Sequence, residues 1–194
     1  MASVGHVALG LAAARLYDGR QVPRWAPFTG MVVWSGVSML PDIDVVGMRF
    51  GVDYAAPWGH RGATHSFVFA ALVAALAYAV ARAGRLPARL TALMVGALLV
   101  SHGLLDTMTD GGLGCALLWP LSLRRFFAPW TPIPVAPIGR AFFSSEGLRV
   151  AAVELAYFIV PFGYGLAPRR WRGQAGGDPP PTAGASSAGA GRRA

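Results

Sequence analysis

The sequence predicts an all-α, polytopic membrane protein with about four to five transmembrane helices. Two features of its composition indicate a membrane protein: 54% of the 194 residues are hydrophobic, and only 13% are charged. Soluble proteins usually carry about 25% charged residues. The third observation is the pattern, because the apolar residues are gathered into long runs that alternate with Arg-containing loops.

Five apolar segments account for the predicted helices: residues 4–16, 26–40, 66–82, 90–105 and 148–166. The third is the clearest candidate, because no charge precedes Arg82 and a spanning helix needs about 17 to 25 residues. Pro41 is expected to end the second segment, and Pro161 to kink the last one. Glu154, inside the last segment, is interpreted as a hydrogen-bonding partner within the helix bundle.

The chain is predicted to contain one folded domain and a tail. Residues 1–172 form the integral membrane domain. Within it, residues 111–140 are rich in Gly, Pro and Trp and predict a structured loop at the membrane interface, where Trp and Arg side chains are favoured. The Gly-, Pro- and Ala-rich tail, residues 173–194, is predicted to be disordered because it has too little apolar surface to bury.

The distribution of Arg predicts the topology, because cytoplasmic loops are enriched in basic residues. The chain has no Lys. Of its 17 basic residues, 11 lie between the first and second segments, between the third and fourth, or after the last. We therefore expect a multi-pass protein of the inner (cytoplasmic) membrane. Its chain would start outside and its C-terminal tail would lie in the cytoplasm.

This topology brings ionisable residues together at a single membrane face. Segments that alternate in direction place the starts of the first and third, and the ends of the second and fourth, on the same side. The residues found there are His6, Asp42, Asp44, His60, His65, His102 and Asp106. All four histidines of the chain belong to this set, and the Arg distribution assigns it to the extracytoplasmic face.

The residue types in this set are those of a metal site. His102 and Asp106 lie four residues apart, so a helix presents both on one face. In "PDID", both carboxylates can point inward, or one can orient a histidine ligand. Imidazole with carboxylate suits Zn²⁺ first, with Mn²⁺ or Fe²⁺ as alternatives. A single such residue is more often a solvated helix end, but the whole set predicts one or two divalent ions.

Further polar residues near this set are assigned supporting roles. Arg61 is interpreted either as an anchor to lipid headgroups or as a group that binds a substrate anion. Arg140 is a second candidate for stabilising developing negative charge. Asp44 is a candidate general base if it is not a ligand. Residues predicted to support the ligands through hydrogen bonds are Thr64, Thr109 and Asp110, the last of which also fits a turn.

Five stretches carry these residues and their neighbours: "GHVALG", "LPDID", "HRGATHS", "HGLLDTMTDGG" and "LLWPLSLRRFFAPWTPIPVAPIG". Together they resemble the membrane-bound metal-dependent hydrolases of the YdjM-like type, over residues 1 to about 165. The resemblance implies an integral membrane protein with metal-dependent hydrolase activity, and one relative in that family is described as LexA-binding. A fainter similarity to the zinc-dependent phospholipase C and P1-type nuclease group favours phosphoester hydrolysis.

The leading hypothesis is a membrane-embedded metal-dependent hydrolase that acts on a phosphoester by metal-activated water. A lipid-linked substrate would fit a site at the interface. Membrane lipids are the expected partners, and Arg residues scattered between apolar runs argue against nucleic acid binding. Two alternatives stay open. A non-catalytic metal-binding scaffold or regulator would have a closed coordination sphere, and a transporter of metal ions or protons would carry ionisable groups at several depths.

Overall fold

A computed structural model describes residues 3–18 and 27–167 of the chain, and in these ranges the secondary structure is helical. Extended segments of the described ranges meet only in isolated bridges. The all-α prediction is therefore confirmed. The tail predicted to be disordered, residues 173–194, lies outside the described residues.

Within the described ranges, each of the five predicted apolar segments is largely helical, and the chain has seven α-helices there. These are α1 (Ser3–Asp18), α2 (Pro27–Ser38), α3 (Val45–Met48), α4 (Phe67–Ala83), α5 (Ala88–Thr107), α6 (Ser145–Tyr157) and α7 (Ile159–Leu166). Three short 3₁₀ helices lie between them: Leu40–Asp44, Ala63–His65 and Gly139–Phe143. Pro41 stands in the first turn of the Leu40–Asp44 helix, so the "PDID" motif is helical, and the chain turns at Met39.

Fewer helices than expected are long enough to cross a membrane. Among the described residues, only α5 has the length and apolar composition to cross alone, and up to three spans result if two bent helix pairs each count as one. Helix α4 has 17 residues, which extend about 26 Å, whereas the hydrocarbon core is about 30 Å thick. The prediction of about four to five transmembrane helices is therefore not confirmed.

The last apolar segment is divided into two helices, and the division does not fall at Pro161, where a kink is expected. Helices α6 and α7 are bent by 78°, and the break falls at Phe158, three residues before Pro161. Proline fits the first turn of a helix, because its missing N–H would have no partner there. Glu154 is buried near this break, and its Oε2 accepts hydrogen bonds from the N–H groups of Val4 (2.7 Å) and Gly5 (3.2 Å). It joins α6 to the first turn of α1.

The helices pack in two groups that share one core. Helices α4 and α5 form a hairpin, and α1 packs against both α2 and α7. A side chain at Gly10 would lie 2.5 Å from the backbone of Ser35, so glycine is what allows α1 and α2 to approach closely. The buried core comprises Ala13, Ala14, Tyr17, Trp34, Ala70, Val95, Leu98 and Leu99. It lies toward the ends of α1 and α2 that are remote from His6 and Asp42.

The loop between α5 and α6 is irregular but ordered by specific contacts. Short backbone bridges pair Thr109 with Ile133 and Cys115 with Phe126. The guanidinium of Arg125 donates hydrogen bonds to the carbonyl oxygens of four residues in this loop and the α3–α4 loop. These residues are Tyr54, Ala56, His60 and Gly114. A single cation therefore ties the two loops together beside the histidine-containing motif.

Candidate metal centre

The buried side chain of His102 is held in one tautomer by the end of α2. Its Nδ1 atom lies 2.7 Å from the carbonyl oxygen of Ser38. A carbonyl oxygen can only accept a hydrogen bond, so Nδ1 carries the proton. In the neutral ring the lone pair is therefore on Nε2, which points away from α2.

His65 has the same arrangement on the other side of the site. Its Nδ1 lies 3.1 Å from Oγ1 of Thr64 and 3.2 Å from Oδ2 of Asp44. The Thr64 hydroxyl donates its own proton to Asp44 at 2.7 Å, so it accepts from His65. The Nε2 atom of His65 then faces Nε2 of His102 at 3.2 Å. Two facing lone pairs at this distance repel each other unless a cation lies between them.

Two carboxylates complete a four-residue donor set. Oδ1 of Asp42 lies 3.6 Å from Nε2 of both His65 and His102, and Oδ2 of Asp106 lies 3.5 Å from Nε2 of His65. Ligand atoms about 2.0–2.2 Å from a tetrahedral ion are about 3.3–3.6 Å apart. The distances of 3.5 and 3.6 Å match this geometry, and one donor atom from each of the four residues lies within 4.8 Å of the others.

The electrostatics of the site also favour a cation. Neither carboxylate oxygen of Asp42 receives a hydrogen bond within the described ranges, although the residue is only 8% exposed. A buried carboxylate without a donor is costly. Burial alone would lower the pKa of His65, but the neighbouring carboxylates, Asp106 first, outweigh it and raise that pKa to about 10. A positive charge is stabilised here, as a proton or as a metal ion.

Thiolate ligation is not part of this arrangement. Cys115 is fully buried, and burial raises the pKa of its thiol. The thiol therefore stays protonated at neutral pH, whereas metal ligation requires the thiolate. The available donors are imidazole nitrogens and carboxylate oxygens, as the sequence predicts.

His6 lies beside the four-residue set and contacts it through two partners. Its ring stacks on that of His102, with centroids 3.6 Å apart, and its Nε2 is 3.2 Å from Oδ1 of Asp106. The neutral ring can donate Nε2–H to this carboxylate, which then keeps Oδ2 directed at His65. His6 thus orients Asp106 from α1.

Asp44 and His60 form a second group that shares His65. Oδ1 of Asp44 accepts from Nδ1 of His60 at 2.8 Å, and Oδ2 accepts from Thr64 and from the backbone N–H of Arg61. Both oxygens are therefore engaged in orienting neighbours. Carboxylates in this position typically fix the ring orientation of ligating histidines. The role of Asp44 as general base stays a prediction.

Arg61 is fully buried, so its side chain is not placed to anchor lipid headgroups. Its Nε lies 3.1 Å from Oδ2 of Asp106, and its Nη1 donates to the carbonyl of Gly111 at 2.9 Å. The backbone has φ +62°, an unusual value for a residue with a side chain. Such strain persists where surrounding contacts hold it. Here the contacts are the bonds to Asp44 and from the N–H of Ala116.

The remaining predicted residues lie farther from the donor set. The hydroxyl of Thr109 donates to the carbonyl of Asp106 at 2.9 Å and so closes the end of α5. Asp110 accepts from the N–H of Val135, so it joins two distant parts of the α5–α6 loop, and its predicted support of the ligands stays a prediction. Arg140 is exposed in the 3₁₀ helix Gly139–Phe143, which packs on α6. Its predicted role in charge stabilisation stays a prediction.

Two residues that position the site are absent from the sequence predictions. Ser38 contributes its carbonyl to His102 and its hydroxyl to the carbonyl of His6 at 2.7 Å. The only signal in the sequence is a hydroxyl residue shortly before Pro41 in an apolar segment. Arg125 holds the carbonyl of His60 at 2.9 Å. The sequence predicts only that residues 111–140 lie at the membrane interface, because the pairing of Arg125 with backbone carbonyls has no signature in the residue types.

A family model described as "YdjM inner membrane protein" matches residues 1–172. The chain is also similar to the inner membrane protein YbcI of Escherichia coli strain K12, with 37% identity over 163 residues. That alignment covers 81% of this chain and 90% of the relative. No solved structure matches the chain. These matches confirm the family resemblance that the motifs indicate.

The loop that carries Arg125 depends on Gly114, and two glycine variants test this. Gly114 has φ +75°, and a Cβ there would lie 2.7 Å from the carbonyl oxygen of Phe126. Gly51 has φ +84° and open space around the same position. Gly51→Ala should therefore lower the free energy of unfolding by about 1–2 kcal/mol through backbone strain alone. Gly114→Ala should lower it by about 2 kcal/mol more through the added clash.

The measurement is reversible unfolding of the purified variants in mixed detergent micelles. Equal losses for the two variants would contradict the view that the close contact between Gly114 and Phe126 holds this loop in place.

Proposed function

The chain belongs to the YdjM inner membrane protein family, and from this premise we propose that it is a metal-dependent hydrolase that acts on phosphoesters. One observation carries the proposal. Nε2 of His65 and Nε2 of His102 face each other at 3.2 Å, with carboxylates on two sides and both Nδ1 atoms held by hydrogen bonds. This donor set suits a divalent ion.

The residues that would hold the ion are Asp42, His65, His102 and Asp106. Zn²⁺ fits best, with Mn²⁺ or Fe²⁺ as alternatives. A divalent ion in this position supplies Lewis-acid chemistry, because it polarises a phosphoryl oxygen and makes water more acidic. We favour one ion over two, because Asp44 engages the Nδ1 atoms of both His60 and His65.

The protein's own residues supply the rest of the proposed chemistry. Asp44 orients His60 and His65, and its Oδ1 atom, which accepts from His60 alone, is the oxygen that would take a proton as general base. The guanidinium of Arg61 is fixed against Asp106, where it offsets the concentration of negative charge and can favour an anionic substrate. Arg140 would act only on parts of a substrate that extend out to the protein surface.

The structure bears differently on the two alternatives. A transporter would carry ionisable groups along a path through the bundle, but Glu154 is engaged with the backbone of α1. A purely structural metal would have a closed coordination sphere, and the four protein donors would close a tetrahedral one. The proposed hydrolase therefore requires that the ion accept water as a fifth donor, and the scaffold is the second candidate.

Metal content and hydrolysis together test the proposal. Protein purified gently in detergent should contain about one transition-metal ion per chain. His102→Ala and Asp42→Asn should lose it, and Asp53→Asn, at an exposed carboxylate, should retain it. His60→Ala should retain the ion with affinity reduced about 10–100-fold, because His60 only supports the ligands. Elemental analysis and metal titration measure these differences.

The same proteins should then be assayed on phosphomonoesters and phosphodiesters. Hydrolysis should require the ion, stop on chelation, return when Zn²⁺ or Mn²⁺ is added and be absent from His102→Ala. Absence of any bound transition metal would overturn the metal site. A stoichiometric ion without hydrolysis of any phosphoester would instead favour the scaffold.

We also propose that the donor set lies toward the extracytoplasmic face and that the C-terminus is cytoplasmic, as the Arg distribution predicts. The turn between α4 and α5 contains Arg85, at the opposite end of these helices from His65 and His102. A reporter inserted after Arg85 should therefore behave as cytoplasmic. Alkaline phosphatase activity from that position would reverse the proposed orientation.

A further inference from the structure

An open groove adjoins the candidate metal centre. Its volume is about 700 Å³, and it lies where the chain bends by 61° between α2 and the segment Leu40–Met48. The residues that line it are Gly36, Met39, Leu40, Asp42, Ile43, Val45, Val46 and Arg49. Six of these eight are apolar, and the remaining two, Asp42 and Arg49, carry opposite charges.

The walls of the groove are suited to a hydrocarbon chain. Ile43 is 58% exposed and Val46 is 51% exposed, which is unfavourable in water. Gly36 has no atom within 4 Å of the position that its Cβ would occupy, so part of the groove exists because this residue lacks a side chain. In an inner membrane protein, lipid chains are the molecules available to fill such a groove at the edge of a bent span.

Arg49 defines what the polar end of the occupant must be. It follows α3 and is exposed, so it can pair with a phosphate. Both carboxylate oxygens of Asp42 are buried, so they do not contact a molecule in the groove.

We propose that this groove binds one membrane lipid that has a phosphate-containing, anionic headgroup. The hydrocarbon chain lies against Gly36, Ile43 and Val46, and the phosphate pairs with Arg49. This inference goes beyond the proposed function, because it does not depend on hydrolysis of the bound lipid.

Photo-crosslinking tests binding without relying on activity. The full-length protein is placed in phosphatidylcholine nanodiscs that contain a phosphatidic acid with a diazirine on its acyl chain. After illumination, mass spectrometry should locate the label within residues 36–49. Arg49→Gln should decrease labelling about tenfold through loss of a charged hydrogen bond, whereas Arg124→Gln, at another exposed Arg, should not.

Gly36→Leu fills the groove and is the second variant. Gly163 in α7 also has open space around its Cβ position, so Gly163→Leu is its matched control. Gly36→Leu should abolish labelling of residues 36–49, and Gly163→Leu should leave it unchanged. Labelling spread evenly over the exposed helices, or unaffected by both Gly36→Leu and Arg49→Gln, would overturn the lipid site. With a photo-reactive amino acid at position 46 in place of the lipid probe, a crosslink to a second copy of the chain or to another protein would also overturn it.

Hydrolysis of a water-soluble phosphoester without an acyl chain separates this inference from the proposed function. Gly36→Leu should retain this hydrolysis while it loses specific labelling. Active protein that shows no specific labelling of residues 36–49 would overturn the lipid site while the hydrolase stands. Specific labelling in a wild-type protein that hydrolyses no phosphoester would refute the hydrolase and leave the lipid site intact.

Discussion

The site depends on the close approach of two imidazole nitrogens. Nε2 of His65 and Nε2 of His102 are 3.2 Å apart, and neither ring can turn away without losing its bond at Nδ1. The carbonyl of Ser38 holds one ring, while Thr64 and Asp44 hold the other. An arrangement that directs two lone pairs at one point is unfavourable unless a cation occupies that point. The surrounding carboxylates supply the compensating negative charge.

Much of the fold serves to bring the ends of helices to that point. His102 and Asp106 come from the last turns of α5, and His65 immediately precedes α4. His6 comes from the start of α1, where Glu154 holds the first N–H groups. The α3–α4 and α5–α6 loops are fixed by two arginine side chains that are buried or partly buried. Arg61 faces Asp106, and Arg125 binds carbonyl oxygens of both loops. Positive side chains thus position a set of donor residues that are themselves negative or neutral.

The sequence predicts the gathering of the ligands better than it predicts their individual roles. Helices that alternate in direction return to the same side, so residues at alternate segment ends become neighbours whatever the details of packing. The distinction between Asp42 and Asp44 could not be predicted, because both lie in one short 3₁₀ helix and differ only in their partners. Burial of Arg61 follows from a backbone conformation with φ +62°, which residue type does not indicate. The break between α6 and α7 at Phe158 likewise depends on packing. Pro161 is the only local signal of it in the sequence.

The most direct test of this account is X-ray absorption at the K edge of the metal in the purified protein. A site formed by Asp42, His65, His102 and Asp106 predicts only nitrogen and oxygen neighbours at about 2.0–2.2 Å, with outer-shell scattering from two imidazole rings. A sulfur neighbour at about 2.3 Å would place the ion at Cys115 and contradict the account. Scattering from three or more imidazoles would also contradict it, because His6 and His60 would then be ligands rather than residues that orient the carboxylates and rings.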